Sequence, residues 1–174
     1  SPMVAAQGTA AATAILRSLK PSWDGDMEAR VKMHVAATMA GSAIDNAITG
    51  MAHGMDGAGG DFGKPHGLMT GLILPYTILY LGPRPVYSDV ARNIGLAGSD
   101  EELCRGLAAY IWKLYDEIEM PKTLREAGIP EGPYLERLPA YIERSLQDYN
   151  IILAPKDPTR EELEALYRQM YYGI

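Results

Sequence analysis

The sequence is poor in three features that mark particular classes of protein: cysteine, clustered basic residues and long hydrophobic runs. Its single cysteine, Cys104, cannot form a disulfide within the chain, and we expect this thiol to pack inside an amphipathic helix. The 16 lysines and arginines are scattered among 22 acidic residues, which excludes a phosphate-binding surface and hence nucleic-acid partners. The longest apolar stretch, residues 68–81, is too short to cross a bilayer and contains Pro75, which excludes a membrane span.

Composition and patterning predict one soluble helical domain. No basic segment precedes the alanine-rich N-terminal stretch, so we expect no secretory signal and a cytoplasmic protein. A length of 174 residues with 47% hydrophobic content suits one domain over residues 1–174 with one core, and no linker divides it. No run alternates polar and β-branched residues. The predicted fold class is therefore all-α, a multi-helix bundle.

Local signals predict where the first two helices begin and end. Ser1-Pro2 is typical of an N-cap followed by proline at the first helical position, and it opens a helix through Ser18. Residues 21–26 predict a turn, with Asp26 capping a second helix that runs towards His53. The apolar face of this second helix is predicted to contain Val31, Val35, Met39 and Ile44.

The remaining helices follow from apolar content and capping patterns. Residues 66–81 are apolar nearly all round, which predicts a buried central helix kinked at Pro75. The patterns Ser99 to Glu102 and Thr159 to Glu162 each predict a capping box that opens an amphipathic helix. Between them, residues 122–127 and 134–149 predict two further helices.

Two of the three histidines, His53 and His66, bracket a glycine-rich loop. Glycines let the backbone turn sharply, so this loop could bring both imidazoles to one point. Neutral imidazole binds borderline metals such as Fe(II), Zn(II) and Ni(II). Considered alone, two such histidines are more often unrelated core or surface residues, and a metal site needs three or four ligands.

Three carboxylates, Asp45, Asp56 and Asp61, lie near this pair in the sequence and could complete a site. Asp45 stands eight residues before His53, two turns of a continuous helix, and would then project from a similar face. His34 has no such neighbours and is predicted to be an ordinary packing histidine. A dinucleotide-binding loop is excluded because Phe62 occupies the third glycine position of G-x-G-x-x-G and no strand precedes the loop.

A series of short motifs follows one another along nearly the whole chain. They are residues 46–53 (N-A-x-x-G-x-x-H), 63–67 (G-K-P-H-G), 72–75 (L-I-L-P), 87–92, 121–129 and 157–163. The first two are fairly specific and the others support them. Together they resemble the C-terminal half of the iron-containing (group III) alcohol dehydrogenases, members of the dehydroquinate-synthase-like superfamily.

This resemblance implies a two-domain enzyme with a metal in the cleft between its domains. An N-terminal domain, absent here, would bind NAD or NADP, and the helical domain would hold Fe(II) or Zn(II) through one aspartate and three histidines. Two of these histidines correspond to His53 and His66. The aspartate and the third histidine would come from a D-x-x-x-H motif upstream of Ser1. The complete enzyme would transfer hydride between a small alcohol or aldehyde and NAD(P), while this chain alone would be inactive.

One position departs from the family pattern. Many members carry a further histidine four residues after the first ligand, directed towards the nicotinamide, and Gly57 stands there in this chain. A shifted alignment instead matches His53 to that further histidine and leaves Thr49 at the ligand position. The N-A-x-x-G frame favours His53 as the ligand. Ile44 and Asn150 are the positions that resemble the substrate pocket.

Two other interpretations compete with a truncated enzyme. The first is a non-catalytic helical domain for interaction or assembly, which would retain the scaffold without the chemistry. The second is a split enzyme whose other half is a separate chain. A homo-oligomer is compatible with each of them. The substrate within the superfamily, the metal and the nicotinamide cofactor are left open by the C-terminal half alone.

Overall fold

The chain folds into ten helices and no strand. The structure is a computed structural model that describes all residues, 1–174, and it confirms the all-α prediction. None of these helices combines the length and the apolar character needed to cross a membrane. In chain order the helices are α1 (Pro2–Trp23), α2 (Met27–Ile44), α3 (Met51–Gly54), α4 (Gly57–Asp61), α5 (His66–Leu81), α6 (Pro85–Asn93), α7 (Asp100–Glu117), α8 (Glu131–Leu146), α9 (Tyr149–Ile152) and α10 (Arg160–Tyr172).

The helices group into two compact units. One unit combines Ser1–Ile48 with Gly82–Met120 and contains α1, α2, α6 and α7. The other combines Thr49–Leu81 with Pro121–Ile174 and contains α3, α4, α5, α8, α9 and α10. Because each unit takes two separate stretches of chain, no single linker divides them. The assignment of residues 1–174 to one domain stays a prediction.

In the first unit, α1 begins where the sequence predicts and ends later. The Ser1 side chain accepts a hydrogen bond from the Val4 N–H, and proline follows at the first helical position. The predicted end at Ser18 is wrong, since the helix continues through Pro21 to Trp23. Pro21 cannot donate a hydrogen bond to the preceding turn, but it lies close to the helix end, where the Asp26 N–H donates to the Pro21 carbonyl at 3.0 Å.

Helix α2 shows the largest differences from prediction. Asp26 caps it as expected, accepting from the Glu28 and Ala29 N–H groups, but the helix ends at Ile44 and does not run on to His53. Its predicted apolar face is wrong too, because the residues that pack inwards are small ones, Ala29, Ala36 and Ala43. Val31 and Val35 are instead more than half exposed, and His34, expected to pack, is exposed as well.

In the second unit, α5 is the apolar helix that the sequence predicts, with Pro75 inside it and Met69, Leu72 and Ile73 completely buried. Helix α10 packs against α5 and against α8, and α8 and α10 share a cluster of tyrosines. Tyr134 stacks on Tyr171 with ring centroids 4.8 Å apart, and its hydroxyl donates to the Tyr167 carbonyl at 3.0 Å. Burying these hydroxyls is tolerated because they have partners inside the chain.

The two capping boxes are both present, opening α7 at Ser99 and α10 at Thr159. The predicted helix at residues 122–127 is wrong, because that segment forms a series of turns. Side chains satisfy its backbone instead: Thr123 Oγ1 accepts from the Glu126 N–H, and Glu126 accepts from the Lys122 N–H at 2.7 Å. The predicted helix at 134–149 exists as α8, shifted about one turn towards the N-terminus.

Candidate metal centre

The segment between the two histidines is a compact double turn and not an open loop. It contains the short helices α3 and α4, and Gly63, with φ +62°, ends α4 in the left-handed region. The Lys64 N–H then donates to the Gly59 carbonyl at 2.8 Å, as in a helix C-cap. Gly59 is needed for packing, because a Cβ at this residue would lie 2.7 Å from the buried Met69 Cγ. The chain thereby reverses and enters α5 at His66.

This reversal brings the two imidazoles together. His53 lies in α3 and His66 is the first residue of α5, and their ring centroids are 5.0 Å apart with an angle of 62° between the ring planes. Two imidazoles that share one tetrahedral cation, with metal–nitrogen bonds of about 2.1 Å, place their ring centroids roughly 5 Å apart. The separation and the nitrogen donors therefore fit a common cation.

The electrostatic surroundings favour a neutral His53. Its half-buried position lowers the pKa of the imidazole, and the nearby His66 lowers this pKa further. Asp56 and Asp148 act in the opposite direction on the same pKa but do not outweigh the burial. Since only the neutral ring has a lone pair for a metal, this environment favours the form of His53 that can act as a ligand.

Only one of the three candidate carboxylates contacts a histidine. Asp56 Oδ2 lies 2.5 Å from His66 Nδ1. Asp61 accepts a hydrogen bond from the Tyr141 hydroxyl at 3.0 Å and pairs with Arg137, and Asp45 is the C-cap of α2 in the other unit. No group of three or more histidine, cysteine, aspartate or glutamate side chains converges to hold a metal ion.

Two buried hydroxyls that the sequence does not single out hold the backbone just after His53. Ser145 Oγ donates to the Gly54 carbonyl at 2.8 Å and lies 2.7 Å from the Tyr167 hydroxyl, which is 3.3 Å from the Met55 carbonyl. Burial raises the pKa of Tyr167, so its hydroxyl stays a donor. Both residues are 1% exposed. No local pattern could have found them, because they lie about 90 residues or more along the chain from their partners.

The two predicted substrate-pocket residues fall in different units. Ile44 is the last residue of α2 in the first unit, and its side chain is 44% exposed. Asn150 lies in α9 in the second unit, where its Oδ1 accepts from the Thr49 hydroxyl at 2.7 Å and its Nδ2 donates to Asp148 at 2.9 Å. The side chains of Thr49 and Asn150 are therefore already engaged with each other. A substrate-binding role for Ile44 and Asn150 stays a prediction.

At Gly57, where the family resemblance leads one to expect a histidine, the neighbouring space is taken by an arginine. A Cβ built on Gly57 would lie 2.9 Å from Nη1 of Arg144, a residue of α8. The guanidinium is thus packed against the bare backbone of α4. Any side chain at position 57 would require it to move.

Comparisons with known proteins identify the family of the chain. The profile of the Fe-containing alcohol dehydrogenase family, C-terminal, matches residues 1–171. A relative described as an NADPH-dependent butanol dehydrogenase from Clostridium saccharobutylicum is 33% identical over 156 residues, which are 87% of this chain and 40% of the relative. An alcohol dehydrogenase from Thermococcus barophilus is 31% identical, over 91% of this chain and 41% of its own length.

Among solved structures, the iron-containing alcohol dehydrogenase from Thermococcus thioreducens superimposes with a TM-score of 0.87 at 29% identity. The superposition covers 100% of this chain and 45% of that one. This chain therefore spans less than half the length of these relatives. Because the family profile matches nearly every residue and the relatives are alcohol dehydrogenases, the alternative of a non-catalytic interaction or assembly domain that retains the scaffold is not favoured. The chain belongs to the Fe-containing alcohol dehydrogenase family and corresponds to its C-terminal helical domain.

Proposed function

We propose that His53 and His66 are two ligands of one divalent cation, Fe(II) or Zn(II), in a complete NAD(P)-dependent alcohol dehydrogenase that contains this chain. The observation that carries the proposal is the 5.0 Å separation of the two ring centroids, in a chain whose family is Fe-containing. The remaining ligands would come from the upstream D-x-x-x-H motif that the family resemblance implies. The substrate class is a small alcohol or its aldehyde.

The roles of the residues follow from their chemistry. When bound, the cation supplies a Lewis acid for the substrate oxygen. His53 and His66 bind through neutral nitrogens and neither serves as the base, since a ligand's lone pair is committed to the metal. Ser145 and Tyr167 fix the backbone that follows His53. Hydride acceptance belongs to the nicotinamide, NAD or NADP, which the N-terminal domain of the complete protein would bind.

Alanine variants of the three histidines in the complete protein test the proposal. His53→Ala and His66→Ala should each lower the bound metal well below one equivalent per chain and abolish alcohol oxidation. His34→Ala is the matched control, because this exposed histidine of α2 should leave both quantities unchanged. Metal content is measured by elemental analysis and turnover by nicotinamide absorbance. A His66→Ala variant with full metal content and normal turnover would contradict the proposal.

The same series decides between the two alignments of the histidine motif. If Thr49 were the ligand in place of His53, Thr49→Val would remove the metal and His53→Ala would retain it. Our assignment expects the reverse, because the N-A-x-x-G frame puts His53 at the ligand position and its ring lies 5.0 Å from that of His66. Anaerobic reconstitution with Fe(II) or Zn(II), followed by kcat/KM with NADH and with NADPH, identifies the metal and the nicotinamide.

A further inference from the structure

The side chain of His66 has one hydrogen bond within the chain, and it is to Asp56. Asp56 Oδ2 lies 2.5 Å from Nδ1 of the ring, while Nε2 has no partner in the chain. The His66 side chain is 63% exposed, so packing restrains it little, whereas that of Asp56 is 25% exposed. The carboxylate is therefore the main restraint on the orientation of this imidazole.

The chemistry of the pair determines which nitrogen is available. A carboxylate beside an imidazole ordinarily accepts the hydrogen bond, which makes Nδ1–H of His66 the donor in this contact. A neutral His66 in this tautomer has its lone pair on Nε2. We propose that Asp56 is a positioning residue that holds His66 in the Nδ1–H tautomer and keeps Nε2 available for the cation. This inference rests on the proposed function of His66 as a metal ligand.

The backbone of Asp56 is held firmly enough for this role. Its carbonyl accepts from the Gly59 N–H at 2.8 Å at the start of α4. On its other side lies Met55, whose side chain is 0% exposed and whose carbonyl faces the buried Tyr167 hydroxyl. Because its backbone is already fixed, the Asp56 carboxylate can restrain the exposed His66 ring without a further loss of conformational entropy when the metal binds.

Asp56 acts on His66 and is not itself one of a converging set of ligands. Asp56, His53 and His66 do not form a three-ligand group around one point. A carboxylate that accepts from the second nitrogen of a metal-bound histidine is a common arrangement around metal sites, and losing it typically weakens metal affinity about 10–100-fold. That range is the effect expected here.

The test measures Zn(II) affinity and the histidine tautomer in the complete protein. Affinity is measured by competition with a chromophoric chelator, and the tautomer by 15N NMR of the metal-free protein, in which the chain contributes only three histidines. Asp56→Ala should weaken Zn(II) binding about 10–100-fold and shift His66 away from the Nδ1–H form. Asp56→Asn should weaken it less, because the amide oxygen can still accept from Nδ1. Asp61→Asn is the matched control, since Asp61 contacts Tyr141 and neither histidine.

The outcomes separate this inference from the function on which it rests. If Asp56→Ala binds Zn(II) normally while His66→Ala does not, the positioning role is wrong and the metal ligand stands. If His66→Ala also binds normally, the proposed function itself fails. Equal losses of Zn(II) affinity in Asp56→Ala and Asp61→Asn would indicate a general charge effect. A loss of affinity in Asp56→Asn as large as that in His66→Ala would indicate that Asp56 is a direct ligand. Either result overturns the positioning role. Circular dichroism of each variant verifies its fold, and Asp56→Asn serves as the folded variant if Asp56→Ala is disordered.

Discussion

The Ser145 hydroxyl should contribute measurably to stability, because it holds the backbone beside the candidate ligand His53. Its one hydrogen is donated to the Gly54 carbonyl, so the Tyr167 hydroxyl must be the donor in the 2.7 Å contact between the two side chains. Ser145→Ala therefore removes the donor to Gly54 and the acceptor of Tyr167 together. Tyr167 keeps only the longer contact, 3.3 Å, to the Met55 carbonyl.

The expected cost follows from the burial of the groups involved. A buried polar group that loses its partner costs about 1–3 kcal/mol, while an ordinary hydrogen bond contributes about 0.5–1.5 kcal/mol. Ser145→Ala should therefore lower the free energy of unfolding by about 1–3 kcal/mol. Tyr167→Phe should lower it by a similar amount. The double variant should cost less than the sum, by at least about 0.5 kcal/mol, because each hydroxyl is the partner of the other.

Urea denaturation followed by circular dichroism measures these free energies. Tyr172→Phe is the matched control: it removes a hydroxyl from the same helix, but one that is exposed and bonded to Glu131, so it should change stability by less than about 0.5 kcal/mol. Additive effects of the Ser145 and Tyr167 substitutions, or a Ser145→Ala variant as stable as the parent, would refute the proposed anchoring of the segment after His53.

Two further perturbations test packing and charge in the same unit. Gly59→Ala should destabilise the protein by about 1–3 kcal/mol, because the new Cβ would meet the Cγ of the completely buried Met69 at 2.7 Å. Gly60→Ala is the control: its new Cβ has no neighbour within 4 Å, so the substitution should be neutral or slightly stabilising. Similar denaturation midpoints for the two variants would show that the close approach of Gly59 to Met69 does not affect stability. The pKa of Glu162 is lowered from 4.5 to about 2, and the largest contribution is the hydrogen bond from the Lys156 ammonium. Because the pKa of Glu162 is depressed on folding, its ionised carboxylate stabilises the folded state fully above pH 4.5, and this stabilisation is lost as the pH falls towards 2. Glu162→Gln should therefore lose less stability than the parent between these two pH values, as measured by acid titration followed by circular dichroism.

Helix starts could be predicted from the sequence because capping is local. In the capping boxes that begin at Ser99 and Thr159, the two residues that bond to each other's backbone N–H groups stand three positions apart. Four consecutive residues therefore contain the whole interaction. The same holds for Asp26 at the start of α2. The segment at 122–127 misled the prediction, because its helix-forming composition is overridden by turns in which Thr123 and Glu126 bond to neighbouring N–H groups.

The buried face of α2 could not be identified from the positions of its large apolar side chains. Hydrophobic periodicity favours Val31 and Val35, yet the buried residues of α2, a helix that packs against α1, are Ala29, Ala36 and Ala43. Residues seven apart lie close to one face of a helix, and small side chains at these positions allow a neighbouring helix to approach. The pattern of small residues carried the information, and the larger apolar residues obscured it.

In the candidate site, the sequence indicates the two imidazoles but not what orients them. His53 and His66 stand out because histidine is rare in this chain and both flank the glycine-rich segment. Asp56 is one of several nearby carboxylates until the structure shows its contact with Nδ1 of His66. Ser145 and Tyr167 come from α8 and α10, and a hydroxyl in an amphipathic helix gives no sign of the distant carbonyl that it will meet.

At Gly57, the space that a side chain would need is occupied by a residue of another helix. In sequence, the histidine carried by many family members is simply absent. In the structure, the Arg144 guanidinium from α8 lies 2.9 Å from the place where a Cβ would begin. Imidazole changes its charge near neutral pH, whereas a guanidinium stays protonated. A group that could release a proton is therefore replaced by one that cannot, and position 57 itself contributes no titratable side chain. Whatever side chain stood at position 57 would have to displace Arg144, so the difference from the family pattern involves two helices and not one residue.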